Sequence, residues 1–323
     1  MSKSETKFDQ TTVEETKVSK NRFHGLWALT NRDLKKWYQN PIVFVIGIIQ
    51  PILWLALLGK AMNISSIFST SSMPTLPAQL ASSFTPSQLQ GLATYFAGFQ
   101  SQIMTLTFHT ADYFSFMAMG MVAFVTVFTT AFVGISVVFD RRLGFMNKVL
   151  STPVSRSVII TSKVISASIR SVFQAGIVTV IAYLLGLQLG ANFTVFSIFG
   201  VFAMVFLIGF GLSSMFTAIT LRTTRMETPQ AIFNLVTLPL MFASSAYFPI
   251  GNMPGWLQAI ANVNPISYTI DAVRRLMVFS DGYGQFKLQL GNMSLPFDFL
   301  YVGVFAAVVT AICVVLSWKY LNK

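Results

Sequence analysis

Charged residues and residues able to build a catalytic or metal site are scarce in this chain. Only 10% of its 323 residues are Asp, Glu, Lys or Arg, whereas a soluble domain usually has about 25%. The single cysteine cannot form an intrachain disulfide. Only His24 and His109 are available for histidine-based metal or acid–base chemistry. This composition excludes an ordinary soluble globule, a disordered chain and a disulfide scaffold.

Long uncharged stretches fill most of the chain instead. Hydrophobic residues make up 54% of it, and Phe alone contributes 31 residues. Because a bilayer core of about 30 Å needs roughly 20 apolar helical residues, these stretches predict an all-α, polytopic membrane protein. Six spans are expected, at 42–60, 114–139, 158–185, 194–220, 229–248 and 299–318.

The distribution of Lys and Arg predicts the orientation. Eighteen of these residues fall on the side of the N- and C-termini, and four fall on the other side. Basic residues concentrate in cytoplasmic loops, so both termini are expected in the cytoplasm, with the chain in the plasma membrane. The same bias explains the net charge of +11 without a nucleic-acid partner.

The first forty residues divide into a tail and a helix. Residues 1–21 are polar and predict a disordered cytoplasmic tail. Residues 22–40 predict an amphipathic helix that lies in the membrane interface. Its candidate interfacial residues are Phe23, Trp27, Lys35, Lys36 and Trp37.

Two further segments lie between the predicted spans. Residues 60–112 form a long outer segment. Residues 140–156 are cytoplasmic and combine basic flanks with a short apolar face. This second segment is either a docking element or an ordinary inner loop.

The stretch at 249–279 is too broken by proline and glycine to span the membrane and too apolar for an ordinary loop. Non-helical backbone at membrane depth must be surrounded by protein or water, which predicts a re-entrant helical hairpin on the outer side. Within it, Asp271 can pair with Arg274 or Arg275 along one helix face.

The sequence lacks the motifs of an energy-converting or catalytic site. It contains neither a Gly-x-x-x-x-Gly-Lys-Ser/Thr loop for ATP nor a His-Glu-x-x-His metal motif. The predicted spans carry almost no carboxylates, which argues against a proton relay. Lys163 and Arg170 are expected to snorkel toward the cytoplasmic surface. These features predict a pathway or scaffold that needs an external energy source.

Three segments resemble the ABC-2 type transporter permease family, nearest to its drug- and nodulation-factor-exporting branch. They are RDLKKWYQNPIVFVIGIIQPILWLALLG at 32–59, the DRR-x-G…LSTPVSR stretch at 140–156, and FPIGNMPGWLQAIANVNPISYTIDAVRR at 248–275.

The resemblance implies a six-helix permease domain over 41–320 and the membrane half of an ATP-driven exporter. It implies a partner ATP-binding cassette subunit carrying ATP and Mg, a second permease chain (identical or closely related), and no cofactor or catalytic site here. The expected cargo is an amphipathic small molecule, a lipid or a lipid-linked glycan. The implied ATPase-coupling residues are Arg141, Arg142, Leu143, Gly144, Met146, Leu150 and Pro153, and the implied hairpin residues are Pro249, Pro254, Trp256, Asn264, Pro265, Asp271 and Arg274.

Two other kinds of protein compete with this interpretation. A stand-alone channel or secondary carrier would be distinguished by ionisable residues in the spans. An integral membrane enzyme would be distinguished by a catalytic dyad there.

The predicted topology can be tested with single cysteines. In a Cys313→Ser background, Ser71→Cys and Ser155→Cys should be labelled by an impermeant thiol reagent from opposite sides of the membrane. Labelling of both positions from one side would contradict this topology.

Overall fold

The computed structural model describes residues 22–61, 84–108, 110, 112–152, 154–190, 193–223, 225, 227–279 and 294–320. Every regular element in these residues is helical, which confirms the all-α class. The predicted tail 1–21 and most of the Ser- and Pro-rich part of the outer segment lie outside the described residues. The helices are α1 Arg22–Tyr38, α2 Pro41–Trp54, α3 Pro86–Phe108, α4 Tyr113–Arg142, α5 Phe145–Leu150, α6 Arg156–Leu184, α7 Val195–Thr220, α8 Glu227–Phe242, α9 Gly255–Val263, α10 Pro265–Met277 and α11 Leu295–Tyr320.

Four helices in the described residues, α4, α6, α7 and α11, are long and apolar enough to cross a membrane. The other two predicted spans correspond to α2 and α8, which are shorter and contain Pro51 and Pro239. Proline inside a helix removes a backbone hydrogen bond and disturbs the preceding turn. Consistent with this, α2 continues as a π-helical segment over Leu55–Ala61, and α8 ends at Phe242. The six-span count therefore stays a prediction.

Helix α4 is the centre of the fold. Most of its side chains are buried, including Phe116, Met117 and Met119. Small residues allow neighbours to approach it closely, as is usual between membrane helices. A Cβ on Gly120 would lie 2.7 Å from the carbonyl oxygen of Ala246, so this position cannot accept a side chain without movement.

The two ends of α4 define the two ends of the bundle. We call the end that carries the last turn of α4, with α1, α5 and the start of α6, the basic end. We call the end that carries the first turn of α4, with α9 and α10, the hairpin end. At 1.5 Å per residue, the 30-residue α4 separates them by roughly 45 Å.

Helix α1 packs lengthwise against the first half of α6. The Thr30 hydroxyl lies 3.5 Å from the carbonyl oxygen of Ser162. Further along, the rings of Trp37 and Phe173 meet edge to face at 5.7 Å. The predicted aromatic face of α1 is therefore divided, because Trp37 contacts α6 whereas Trp27 is exposed. Lys35 and Lys36 are exposed, and nothing is described of the Phe23 side chain.

Candidate functional site

The predicted coupling segment forms a tight corner followed by a short helix. Gly144 has a φ of 69°, a left-handed conformation that glycine adopts without steric cost. This residue turns the chain from the end of α4 at Arg142 into α5, which begins at Phe145. The corner exposes Leu143 to 76%.

The apolar face of α5 packs against other helices of the same chain. Met146, only 2% exposed, and Val149 pack in a buried cluster with Val137, Ile160 and Val164. The Met146 side chain packs between α4 and α6 here, whereas the sequence predicted that it enters a groove on a partner, and that role stays a prediction. Arg141 is half-buried and Arg142 is exposed. The Leu150 side chain and Pro153 lie outside what the structure describes.

A group of buried ion pairs lies directly beside α5. Lys163 of α6 donates to Asp140 of α4, with 2.5 Å between Nζ and Oδ2, and lies 3.6 Å from Asp33 of α1. Their burial is nearly complete, since the side chains of Lys163 and Asp140 are 4% and 8% exposed. Asp140 also attracts Arg32 and Lys36 of α1, at 3.7 and 3.6 Å. We call Arg32, Asp33, Lys36, Asp140 and Lys163 the basic-end cluster.

The basic-end cluster also holds α5 in place. The Arg32 guanidinium carbon lies 3.4 Å from the centre of the Phe145 ring, and the Lys36 ammonium lies 5.4 Å from it. A cation over an aromatic face is attracted by the ring's negative centre. Thus α1, α4, α5 and α6 meet in one set of electrostatic contacts.

Sequence reasoning missed this cluster. Lys163 does not snorkel toward water, as was expected, but pairs with Asp140 inside the protein. Opposite charges near the ends of two neighbouring apolar helices were the available signal, since ionisable residues in such helices usually pair with each other.

At the hairpin end, Asn264 supports the break in the chain after α8. Its amide nitrogen donates to the carbonyl oxygens of Leu240 and Ala243, at 2.8 and 2.7 Å. Its side-chain oxygen accepts from the Ile266 amide at 3.0 Å and caps α10. These carbonyls belong to the end of α8, where a helix leaves backbone acceptors without intrahelical partners.

Arg274 satisfies the next set of carbonyls. Although its side chain is fully enclosed, it donates to Phe116 at 3.0 Å, to Ser245 at 2.8 Å and to Ala246 at 3.2 Å. It also stacks over the Phe116 ring at 3.4 Å. Arg274 therefore fastens α10 to α4 and to the turn after α8.

The remaining hairpin residues have separate positions. Of the two arginines proposed to pair with Asp271, Arg275 makes the contact, at 2.7 Å. Pro249 and Pro265 are buried, whereas Pro254 and Trp256 are exposed. In the described residues, no group of three or more His, Cys, Asp and Glu is placed to hold a metal ion.

Comparison with known proteins decides the family. The family model described as ABC-2 type transporter matches residues 24–278, which include most of α1, the basic-end cluster and both hairpin helices, α9 and α10. The chain belongs to this family. It is thus a permease, the membrane subunit of an ABC transporter.

Individual relatives agree. The permease is 30% identical over 258 residues to the transport permease ycf38 of Cyanophora paradoxa, covering 78% of this chain and 73% of the relative. It is 25% identical over 181 residues to the daunorubicin resistance ABC transporter permease protein DrrB1 of Streptomyces coeruleorubidus, covering 56% and 63%. It is 22% identical over 248 residues to DrrC of Mycobacterium tuberculosis, named for doxorubicin resistance, covering 76% and 74%.

The buried pair of the basic-end cluster can be tested with a double-mutant cycle. Asp140→Asn or Lys163→Met alone leaves a buried charge without its main partner and should destabilise the permease by about 3–5 kcal/mol. The double variant should cost clearly less than the sum of the two, because neither charge is then left alone.

Unfolding can be measured in detergent with a thiol-reactive dye, because the only cysteine, Cys313, is buried. Arg142→Gln, at an exposed arginine outside the cluster, is the control and should change the midpoint little. Additive losses in the double variant would show that the two charges do not stabilise each other.

Proposed function

We propose that the chain is the membrane-spanning half of an ATP-driven exporter and that a separate ATP-binding subunit docks at its basic end. The observation that carries the proposal is the exposed corner at Leu143, on a segment whose other contacts join it to α1, α4 and α6. Family membership supplies the context, since the relatives' names identify them as transporter permeases.

The docking surface that we propose is smaller than the sequence suggested. Leu143 is an apolar side chain that contributes little to its own fold, and exposed Arg142 lies beside it. Buried apolar anchors carry most of the energy of an interface, and charges at its rim carry less. Leu143 is therefore the anchor, with Arg142 at the rim, whereas Met146 and Val149 connect the surface to the spans.

Force from the partner reaches the spans through the basic-end cluster. Phe145, two residues after Leu143, lies beneath Arg32 of α1. Arg32 in turn lies 3.7 Å from Asp140, which bonds Lys163. A conformational switch needs an element whose contacts differ between states. In this proposal, closure of the ATP-binding subunits shifts α5 and, through these contacts, α1, α4 and α6 together.

A second permease chain completes the transport path. Helix α8 buries only Pro229, Thr237 and Met241 within its own chain. It exposes Leu235 to 74%, and on the same helix Gln230 and Asn234 expose side-chain amides. Amides are poorly suited to face lipid. This face is therefore proposed to meet the equivalent face of a second copy, or of a close relative, around the path.

The finer assignments follow from these proposals. The basic end faces the cytoplasm, both termini lie on that side, and α2 and α8 complete six spans in the plasma membrane. ATP and Mg bind the partner subunit. The cargo is an amphipathic small molecule, a lipid or a lipid-linked glycan, because the helices that would form the path are mainly apolar.

The docking proposal predicts that Leu143→Asp separates folding from export. Because Leu143 is exposed, the unfolding midpoint of the variant in detergent should stay within a few degrees of that of the parent protein. Binding of the ATP-binding subunit, or ATP-dependent transport in vesicles, should fall by at least tenfold, equivalent to about 1.4 kcal/mol.

Ser151→Asp, at an exposed polar residue of the same segment, is the matched control, and Arg142→Ala should have an intermediate effect. If the Leu143→Asp variant kept full binding and transport, this corner would not be the docking site.

The pairing proposal predicts a cross-link across α8. In a Cys313→Ser background, oxidation of membranes containing Leu235→Cys should give a disulfide-linked dimer. Leu300→Cys, on an exposed face of α11, should stay monomeric. Cross-linking at position 300 and not at 235 would place the second copy on another face.

A further inference from the structure

The basic end contains a cavity beside its ion pairs. More cationic than anionic side chains surround this cavity. The cavity measures about 150 Å³ and lies between α1, α4 and α6. Four cations and two carboxylates of the described residues line it or belong to the adjoining basic-end cluster, which leaves an excess of two positive charges. They are Arg32, Lys36, Lys163 and Arg170 with Asp33 and Asp140.

Within the described residues, Arg170 is the cation of this cavity that forms no close ion pair, although Asp33, which also lines the cavity, attracts it. Its Nε donates to the backbone carbonyl of Ser166 at 3.2 Å. Among the described residues it forms no ion pair. Lys36 lines the same cavity with its side chain 57% exposed, and Asn40 and Ser136 add polar groups. These groups suit an anion that accepts hydrogen bonds.

The cavity lies at the level where the apolar spans begin. Asn40, which lines it, directly precedes α2 and its apolar run. Trp37, another lining residue, has the amphipathic ring that favours the boundary between headgroups and hydrocarbon. An anion bound here would therefore lie at headgroup depth.

An apolar groove lies on the same face of α6 toward the hairpin end. Its volume is about 610 Å³, and α6 and α7 line it with Phe173, Gly176, Ile177 and Phe202. Phe173 and Ile177 follow Arg170 by three and seven residues, which places all three on one helix face. The Trp37–Phe173 contact lies at the border of the groove and the cavity. A Cβ at Gly176 would make ordinary contact with the Phe202 ring, at 3.5 Å, so a larger side chain at this position would extend into the groove.

From this arrangement we infer a specific site for an anionic phospholipid of the leaflet at the basic end. The headgroup phosphate binds Arg170 and Lys36 in the cavity, and an acyl chain follows the groove between α6 and α7. The excess of positive charge selects an anionic headgroup over a zwitterionic one. Because Lys36 also contacts Asp140, the bound lipid stabilises the basic-end cluster. This site is independent of the proposed export path at α8.

The test measures thermal unfolding of the full-length permease in detergent through Cys313, with phosphatidylglycerol or phosphatidylcholine added. The midpoint should rise more with phosphatidylglycerol, by on the order of 3–5 °C over phosphatidylcholine, because a ligand of the native state stabilises it. Arg170→Gln should abolish this difference. Lys36→Gln, at a more exposed side chain that is safer for folding, should reduce it. The matched control Arg142→Gln should retain it.

Two further arms identify the ligand. Gly176→Leu fills the groove and leaves Arg170 and Lys36 unchanged. It should abolish the larger rise in unfolding midpoint that phosphatidylglycerol gives over phosphatidylcholine. Inorganic phosphate at the same concentration should give no such rise. The inference is overturned if the parent protein does not distinguish the two lipids, if both Arg170→Gln and Lys36→Gln keep the preference, or if phosphate acts as well as phosphatidylglycerol. Disulfide cross-linking between copies through Val180→Cys in a Cys313→Ser background would also overturn it, because the groove would then be covered by protein.

Discussion

The bond between Lys163 and Asp140 organises the end of the molecule on which the proposed function depends. The two residues come from different helices, lie 2.5 Å apart and are almost fully buried. Moving a charge out of water costs several kcal/mol, so these two charges are buried together as a pair. Once they are paired, the remaining charge at Asp140 attracts α1 through Arg32 and Lys36. Arg32 then covers the Phe145 ring of α5.

A related constraint, that backbone groups freed at a helix end need new hydrogen-bond partners, shapes the hairpin end. Here the groups to be satisfied are backbone carbonyls freed where α8 ends. Asn264 and Arg274 reach them from α10, and Gly120 lets α4 approach the turn closely enough to share Arg274. A break at this point is tolerated because these two side chains replace the missing helical hydrogen bonds.

Much of the fold could be predicted because long apolar helices follow from composition alone. The span expected at 194–220 is observed as Val195–Thr220, and that expected at 114–139 as Tyr113–Arg142. The positions of Asn264 and Arg274 followed from a resemblance, but their acceptors did not, since those carbonyls lie on α4 and after α8, far away in sequence. Lys163 was misinterpreted for the same reason: its partner is 23 residues away and meets it only when α4 packs on α6. The apolar face of α5 predicted that Met146 is buried, but it did not predict that α4 and α6 would cover it.

The two ends differ in how readily their contacts can rearrange. Arg274 is held by three carbonyls at fixed positions, and losing any one leaves a buried group unpaired. Asp140 instead has three cations within 2.5–3.7 Å, so it can exchange one for another without being left alone. Several nearly equivalent partners allow discrete alternative arrangements, which a switching element requires. This contrast agrees with the proposal that the hairpin end maintains the bundle while the basic end receives the movement of an ATP-binding partner.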